Sequence, residues 1–213
     1  MKTDKDKKYL TLFLLLLSPI FVWSILDAEN TSLWISEILP LIVGLIVLIV
    51  SNKRYPLTAY SYTIIFIGAT LMLVGSHYSY SKVPICEWIK TVFDLERNNY
   101  DKIVHFFQGF IMASLIKELI MRKNVSPSMR WTNFFSLTFA IAVGAIWEII
   151  EWLFVIVAIS FNIKKPASDY LGTQGYYWDA QSDMFFATVG ALVALFLLGK
   201  YHEKSVRNVM EDH

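Results

Sequence analysis

Residues Leu33 to Val50 read LWISEILPLIVGLIVLIV, and Glu37 is the one charged residue in this stretch. At ~1.5 Å per residue, a helix of this length nearly crosses the ~30 Å hydrocarbon core of a bilayer. A surface helix of a soluble protein would instead show polar residues at a period of about 3.6. The stretch therefore predicts a transmembrane helix, in which a kink at Pro40 is tolerable.

Five other segments have the same continuous apolar character. Of the 213 residues, 55% are hydrophobic and 15% aromatic, whereas soluble domains average roughly 45–50% apolar residues. The first segment follows several lysines, as a signal peptide would, but Leu26-Asp27-Ala28 is a poor cleavage site and we expect this helix to be retained. We predict an all-α polytopic membrane bundle of six transmembrane helices, forming a single integral membrane domain over residues 1–213. Besides Leu33–Val50, the predicted transmembrane segments are Tyr9–Leu26, Tyr60–Ser76, Asp101–Met121, Thr132–Phe161 and Asp179–Gly199.

Basic residues are unequally divided between the loops. Twelve Lys and Arg residues lie in the N-terminus, in loops 51–59 and 122–131, and in the C-terminal tail, against six in the opposite loops when Lys102 is included. Because cytoplasmic loops carry the excess of Lys and Arg, we expect both termini to be cytoplasmic. Lys117 and Glu118 then lie about one turn from the cytoplasmic end of the fourth helix, and we interpret them as snorkelling or loosely paired. No other charge lines that half of the bundle.

Composition excludes some partners. The formal net charge is +1, and no basic patch is interleaved with aromatic residues, so we expect no nucleic-acid partner. Cys86 is the only cysteine, which excludes an intrachain disulfide and a cysteine-based metal cage. We interpret Cys86 as a bystander in a loop. The expected partner is the lipid bilayer itself.

Two of the apolar segments begin with an acidic residue followed by a second polar residue on the same helix face. Asp101 opens the fourth segment, His105 follows one turn deeper, and Gln108 continues the stripe. Asp179 opens the sixth segment and Asp183 follows one turn deeper. By the predicted orientation, both pairs lie at the extracytoplasmic end.

Four more ionisable residues lie toward the same leaflet. Glu148 and Glu151 share a face of the fifth segment, His77 closes the third, and Glu37 lies about one turn into the second. A charge at the bilayer centre costs ~2.5–3.5 kcal/mol on insertion scales, so these carboxylates must be paired, protonated or metal-bound. Helix capping could account for the acids that open segments. It cannot account for Glu148 or Glu151, which lie deep inside an apolar helix.

Imidazole nitrogen with carboxylate oxygen is the ligand set of zinc, iron or manganese sites that lack cysteine. We predict His77, His105 and Asp183 as metal ligands, with a divalent ion such as zinc as the cofactor. A bound metal would activate water for chemistry on an envelope lipid or lipid-linked substrate. The predicted catalytic residues are Asp101, Glu148, Glu151 and Asp179.

The same residues support other interpretations. Without a metal they would form a proton relay in a transporter or small-molecule binding protein. They could also form a hydrogen-bonded network that only clamps the helices together. In the metal interpretation, Asp101 would fix the tautomer of His105.

The loop before the sixth segment adds a further candidate element. Residues 171–179 read LGTQGYYWD, in which Gly172 and Gly175 can adopt positive φ and bring backbone close to a ligand. We interpret the loop as resembling a lid, with an ordinary glycine-containing turn as the alternative.

These stretches carry a resemblance to a known family. NYDKIVHFFQGF (99–110), WEIIEW (147–152), LGTQG (171–175) and WDAQSDM (178–184) resemble the YjdF-like family of bacterial inner-membrane proteins. The resemblance covers nearly the whole chain and implies a multi-pass protein of the cell (inner) membrane. More weakly, Asp101-Lys102-x-x-His105-Phe106 and Asp183-x-x-x-Ala187-x-x-Gly190 are similar to motifs of VanZ-like proteins, which are linked to glycopeptide resistance. Ala187 stands where those proteins usually have Asn.

Overall fold

A computed structural model describes residues 4–160 and 175–211. Within these two ranges the regular structure is entirely helical. The helices are α1 (Asp4–Ile25), α2 (Thr31–Glu37), α3 (Leu39–Asn52), α4 (Ala59–His77), α5 (Pro84–Val92), α6 (Tyr100–Lys123), α7 (Met129–Ser160), α8 (Asp179–Phe196) and α9 (Gly199–Glu211).

The predicted apolar segments correspond closely to helices of spanning length. In the described part of the chain, five stretches are long and apolar enough to cross a membrane: α1, α2 with α3, α4, α6 and α7. A sixth crossing is present only if α8 and α9, which are bent by 62° relative to each other, form one span. The all-α membrane class is therefore confirmed, with five or six spans. The cytoplasmic location of the termini stays a prediction.

Two of the predicted segments are interrupted. Within Leu33–Val50, α2 ends at Glu37 and Ile38 donates its N–H to the carbonyl of Trp34, after which α3 begins with Pro40 in its first turn. Proline is tolerated there because the first N–H groups of a helix have no intrahelical acceptor. Pro40 therefore helps to start a helix and does not kink one. Similarly, the segment predicted to end at Gly199 stops at Phe196, and Gly199 opens α9.

Small residues bring α6 and α8 into backbone contact. Gly109 of α6 lies against the backbone of Ala187 in α8, and Gly190 of α8 lies against the backbone of Phe106 in α6. Such small-residue crossings are typical of membrane helices, whose association depends on close packing. Gly144 of α7 lies beside the methyl group of Ala187, so three helices meet at this level. The crossing aligns the N-terminal halves of α6 and α8 with the C-terminal half of α7.

Helix α5 was not predicted from the sequence. It contains Cys86, which is only 5% exposed, so the expectation that this residue lies in a loop is wrong. Cys86 packs with Leu33, Val83 and Tyr100 in an apolar cluster near the N-terminal end of α6. The short helix thus covers the end of the bundle where the predicted site lies.

Candidate His–carboxylate site

His105 lies between two buried carboxylates. Its Nδ1 is 3.7 Å from Oε1 of Glu148, and its Nε2 is 3.8 Å from Oδ2 of Asp183. The three side chains come from α6, α7 and α8, and all are buried. The helix crossing at Gly109 therefore brings together residues that are 35 to 78 positions apart in the chain.

Gln108 orients the imidazole ring. Its Oε1 lies 3.1 Å from Nδ1 of His105, one helical turn along α6. An Nδ1–H that donates to this oxygen leaves Nε2 with a lone pair on the side of Asp183. We expected Asp101 to fix this tautomer, but the hydrogen-bonding position at Nδ1 belongs to Gln108. Nε2 is therefore the nitrogen available as a base or as a metal ligand.

The group formed by His105, Glu148 and Asp183 fits a divalent cation. Each residue offers one ligand atom, and these atoms all lie within 4.8 Å of one another. Ligand atoms around a tetrahedral zinc ion are ~3.3 Å apart. The 3.8 Å separation between Nε2 of His105 and Oδ2 of Asp183 is close to this value, whereas the 3.7 Å contact with Glu148 is made by the other ring nitrogen, Nδ1. Oε1 of Glu148 has no hydrogen-bond donor among the described residues. A buried carboxylate oxygen without a donor is unfavourable, and a cation or a proton would satisfy it.

A second acidic group adjoins the first through Asp183. Asp101, Asp179 and Asp183 also place ligand atoms within 4.8 Å of one another. Here the chain supplies its own cation, because the guanidinium of Arg97 donates to Asp101 and to Asp179. Burial alone would lower the pKa of Arg97, but these carboxylates outweigh it and raise the pKa above its usual value. Asp101 and Asp179 are therefore both paired with Arg97, whereas Asp183 extends toward His105.

Arg97 is a site residue that was not predicted from the sequence. It was counted only as a loop charge that helps to set orientation, yet it is buried at the start of α6. The signal that could have identified it is its spacing: Arg97 lies four positions before Asp101, close enough in the chain to pair with an aspartate in the first turn of α6.

The predicted lid lies partly outside the described residues, which begin again at Gly175. Gly175 has a φ of +73°, as the turn prediction required. The turn places the ring of Tyr176 5.1 Å from the guanidinium carbon of Arg97 and 5.0 Å from Nζ of Lys102. Tyr176 thus makes cation–π contacts with both cations at this end of the bundle.

Two predicted site residues, Glu151 and His77, belong to neither of these ligand groups. Glu151 accepts a hydrogen bond from the indole N–H of Trp147. His77 stacks on Trp23 with ring centroids 4.3 Å apart, and its Nδ1 lies 3.2 Å from the carbonyl oxygen of Ser24. Among the described residues, neither Glu151 nor His77 belongs to a group with metal-ligand spacing.

The opposite end of α6 carries a second buried polar cluster, which the sequence analysis did not anticipate. Glu118 is 1% exposed and accepts hydrogen bonds from Thr58 N–H at 3.0 Å, Thr58 Oγ1 at 2.9 Å, Ser61 Oγ at 2.5 Å and Arg122 Nη1 at 3.2 Å. The interpretation of Glu118 as snorkelling or loosely paired is therefore wrong. Its carboxylate caps the N-terminus of α4 and joins α4 to α6.

Lys117 completes this second cluster. It is 0% exposed, and its Nζ lies 2.7 Å from Oε1 of Glu203 in α9. His202 of α9 approaches Glu118 at 3.5 Å and stacks on Tyr60 with centroids 4.5 Å apart. These contacts hold α9 against α4 and α6, so the expectation that no charge lines this half of the bundle is also wrong.

Comparison with known proteins is consistent with this architecture. The family described as "Predicted membrane protein (DUF2238)" matches residues 9–204. The chain belongs to the DUF2238 family. A relative of the chain, "Inner membrane protein YjdF" of Escherichia coli (strain K12), is 36% identical over 193 residues, which cover 91% of this chain and 90% of that protein. The YjdF-like resemblance is therefore confirmed. No solved structure matches the chain.

Proposed function

We propose that this DUF2238 protein is an inner-membrane enzyme that uses His105, Glu148 and Asp183 for metal-dependent or acid–base chemistry on an envelope lipid or lipid-linked substrate at the extracytoplasmic leaflet. The observation that carries the proposal is the buried Oε1 of Glu148, which has no donor among the described residues and lies 3.7 Å from His105. A site of this kind is completed by a ligand or a proton that the described chain does not supply.

Comparison of two buried glutamates supports a functional site over a structural clamp. Glu118 receives hydrogen bonds from three different residues and from a backbone N–H, which is what a network that joins helices requires. Glu148 is also buried in a spanning helix, but its Oε1 receives none from the described residues. The same chain provides donors for the whole carboxylate of Glu118 but none, among the described residues, for Oε1 of Glu148. This difference in hydrogen bonding favours a role for Glu148 in binding a ligand or a proton.

The chemistry follows from the orientation of His105. With Nδ1–H directed to Gln108, Nε2 can bind a divalent ion together with Asp183 and Glu148, and such an ion lowers the pKa of bound water to about 7. In the acid–base form of the proposal, Nε2 instead accepts a proton from water or from a substrate hydroxyl, and Asp183 stabilises the imidazolium that forms.

A proton-coupled transporter or binding protein is the second candidate. The observation that favours it is that the two carboxylates approach opposite nitrogens of one imidazole ring, an arrangement suited to passing a proton from one side of the ring to the other. Proton uptake by proteoliposomes with an imposed pH gradient would distinguish this candidate, because an enzyme that acts from one leaflet should carry no protons across the membrane.

Metal analysis tests the principal proposal. Plasma emission spectrometry on chelator-free, detergent-purified protein should give about one equivalent of a divalent transition metal, and His105→Ala and Glu148→Gln should each abolish it. His77→Ala is the matched control, because His77 is also buried but contacts Trp23 and should leave the metal in place. Less than about a tenth of an equivalent in the wild type would exclude the metal-dependent form. Loss of metal in His77→Ala alone would contradict the assignment of ligands.

A further inference from the structure

The strongest unassigned feature is a cavity beside the His–carboxylate site. It has a volume of about 530 Å³, within the ~300–1,000 Å³ typical of ligand sites. Apolar side chains from three helices line most of it: Cys86 and Ile89 of α5, Ile103 and Phe106 of α6, and Phe186 of α8. We propose that this cavity binds one acyl chain of an anionic phospholipid, with the phosphate held at Lys102. The inference rests on the proposed function, for which it names the substrate class.

Helix α5 indicates that the cavity opens toward the membrane. Cys86 and Ile89 face the cavity, whereas Ile85, Trp88 and Val92 form an exposed apolar stripe on the other side of the same helix. With nine residues, α5 is too short to cross a bilayer. A short amphipathic helix with an exposed tryptophan is typical of a segment that lies in the interfacial region. The cavity beneath it is then at the depth where acyl chains begin.

Access to the cavity is lateral. Ile103 contributes to the lining and is nevertheless 38% exposed. Its exposed surface belongs to a helix of spanning length, so in the membrane the neighbour outside this opening is lipid. An acyl chain can therefore enter without crossing water, whereas a polar metabolite would have to be desolvated.

Lys102 provides charge complementarity for the headgroup. Of the described residues that line this cavity, Lys102 is the one that carries a charge. Its Nζ donates to Oδ1 of Asn99 at 2.6 Å and lies over the ring of Tyr176. Asp101 and Asp179 attract it electrostatically, but no carboxylate of the described residues lies within ion-pair distance of its Nζ. Arg97, in contrast, is bound by Asp101 and Asp179. The charge of Lys102 is thus available to a phosphate.

The position of Lys102 connects the cavity with the site. Lys102 and Phe106 line the cavity, while Asp101 and His105, each one position earlier in α6, face the carboxylate groups. A phosphate at Lys102 is therefore less than one helical turn along the axis from His105. The ester and phosphate bonds of a phospholipid would lie between the cavity and Nε2 of His105.

Photocrosslinking of the detergent-purified full chain tests the inference. The probes are phosphatidylglycerol and phosphatidylcholine that carry the same diazirine-bearing acyl chain. We expect crosslinks on the peptides that contain Cys86–Ile89 and Ile103–Phe106. Labelling by phosphatidylglycerol should exceed that by phosphatidylcholine about fivefold, the effect of one lysine near a membrane surface. In Lys102→Gln, the ratio should fall to about one.

Lys90→Gln is the matched control, because Lys90 lies on α5 but is paired with Glu87, and the fivefold ratio should persist. Equal labelling of the wild type by both lipids, labelling confined to α3, or an unchanged ratio in Lys102→Gln would each overturn the inference. His105→Ala separates this inference from the proposed function: it should lose metal and keep the lipid preference. A wild type that binds metal but shows no lipid preference would overturn the lipid assignment alone.

Discussion

A Cβ atom on Gly109 of α6 would lie 1.8 Å from the carbonyl oxygen of Ala187 in α8. The reciprocal contact is equally close, since a Cβ on Gly190 would lie 1.9 Å from the carbonyl oxygen of Phe106. The obstacle in both cases is backbone, which cannot move aside as the end of a side chain can. This crossing determines how far apart His105 and Asp183 lie.

Gly109→Ala should therefore separate the two helices and destabilise the protein by about 1–3 kcal/mol, as overpacking of a core does. Thermal unfolding in detergent measures the loss. Gly44→Ala is the control, because nothing lies within 4 Å of a Cβ at that position and alanine favours helix by up to ~1 kcal/mol over glycine. Equal melting temperatures for the two variants would show that α6 and α8 are not in contact at Gly109.

Glu118→Gln should destabilise the protein without changing its metal content. The amide has one oxygen acceptor in place of a carboxylate that binds Thr58, Ser61 and Arg122, and breaking a buried charged network typically costs about 3 kcal/mol. Unfolding in detergent and metal analysis on the same preparation test both parts. Glu211→Gln, at the exposed end of α9, should be neutral. A stable Glu118→Gln protein that has lost its metal would reverse the roles assigned to the two ends of α6.

Arg97→Gln should leave two carboxylates without their cation and destabilise the protein by about 3 kcal/mol. Arg97→Lys should restore only part of this, because one ammonium cannot reproduce the planar fork that reaches Asp101 and Asp179 together. Asp101→Asn combined with Arg97→Gln should be more stable than Arg97→Gln alone, since the double change leaves one unpaired carboxylate, Asp179, in place of two. Additive effects of the two substitutions would contradict the pairing.

Gln108→Leu should weaken metal binding by about 10–100-fold, the usual effect of removing the hydrogen-bond partner of a ligating histidine. Metal titration of the apoprotein measures the affinity. Gln181→Leu, at an exposed position of α8, serves as the control and should bind as the wild type does. An unchanged affinity in Gln108→Leu would mean that Nδ1 of His105 is not oriented by this amide.

Reporter fusions test the orientation that charge distribution predicts. Fusions after Lys53 and Arg130 should report the cytoplasm, and a fusion near Lys90 should report the exterior, because the excess of Lys and Arg lies on the side of the first two. A cytoplasmic signal at Lys90 would transfer the His–carboxylate site to the inner leaflet and would exclude an extracytoplasmic substrate.

The sequence predicted the helices well because continuous apolar runs report directly on membrane helices. It could not locate the breaks at Ile38 and after Phe196, since both lie among apolar residues whose hydropathy does not change where the helix turns. The amphipathic α5 and α9 were missed for a related reason: each is too short and too polar to register as a span.

The candidate site was predicted unevenly. The four-residue spacing within each helix indicated that Asp101 lies near His105 and Asp179 near Asp183, and both pairs lie at the same end of the bundle. Spacing within a helix could not show that Glu148 approaches His105, or that His77 stacks on Trp23. Both contacts depend on how each helix is rotated about its own axis, and packing against the other helices sets that rotation. Partners distant in the chain, such as Thr58 for Glu118, leave no local pattern at all.

Helices α7 and α8 are packed side by side but differ greatly in length. The 32 residues of α7 rise about 48 Å and the 18 residues of α8 about 27 Å. The acidic residues Asp179 and Asp183 occupy the first turns of α8, so its apolar part, from Met184 to Phe196, rises only about 20 Å. A bilayer matches a short hydrophobic stretch by thinning locally. The membrane surface should therefore dip beside α8, which would bring water to the level of Asp183 without any channel through the protein.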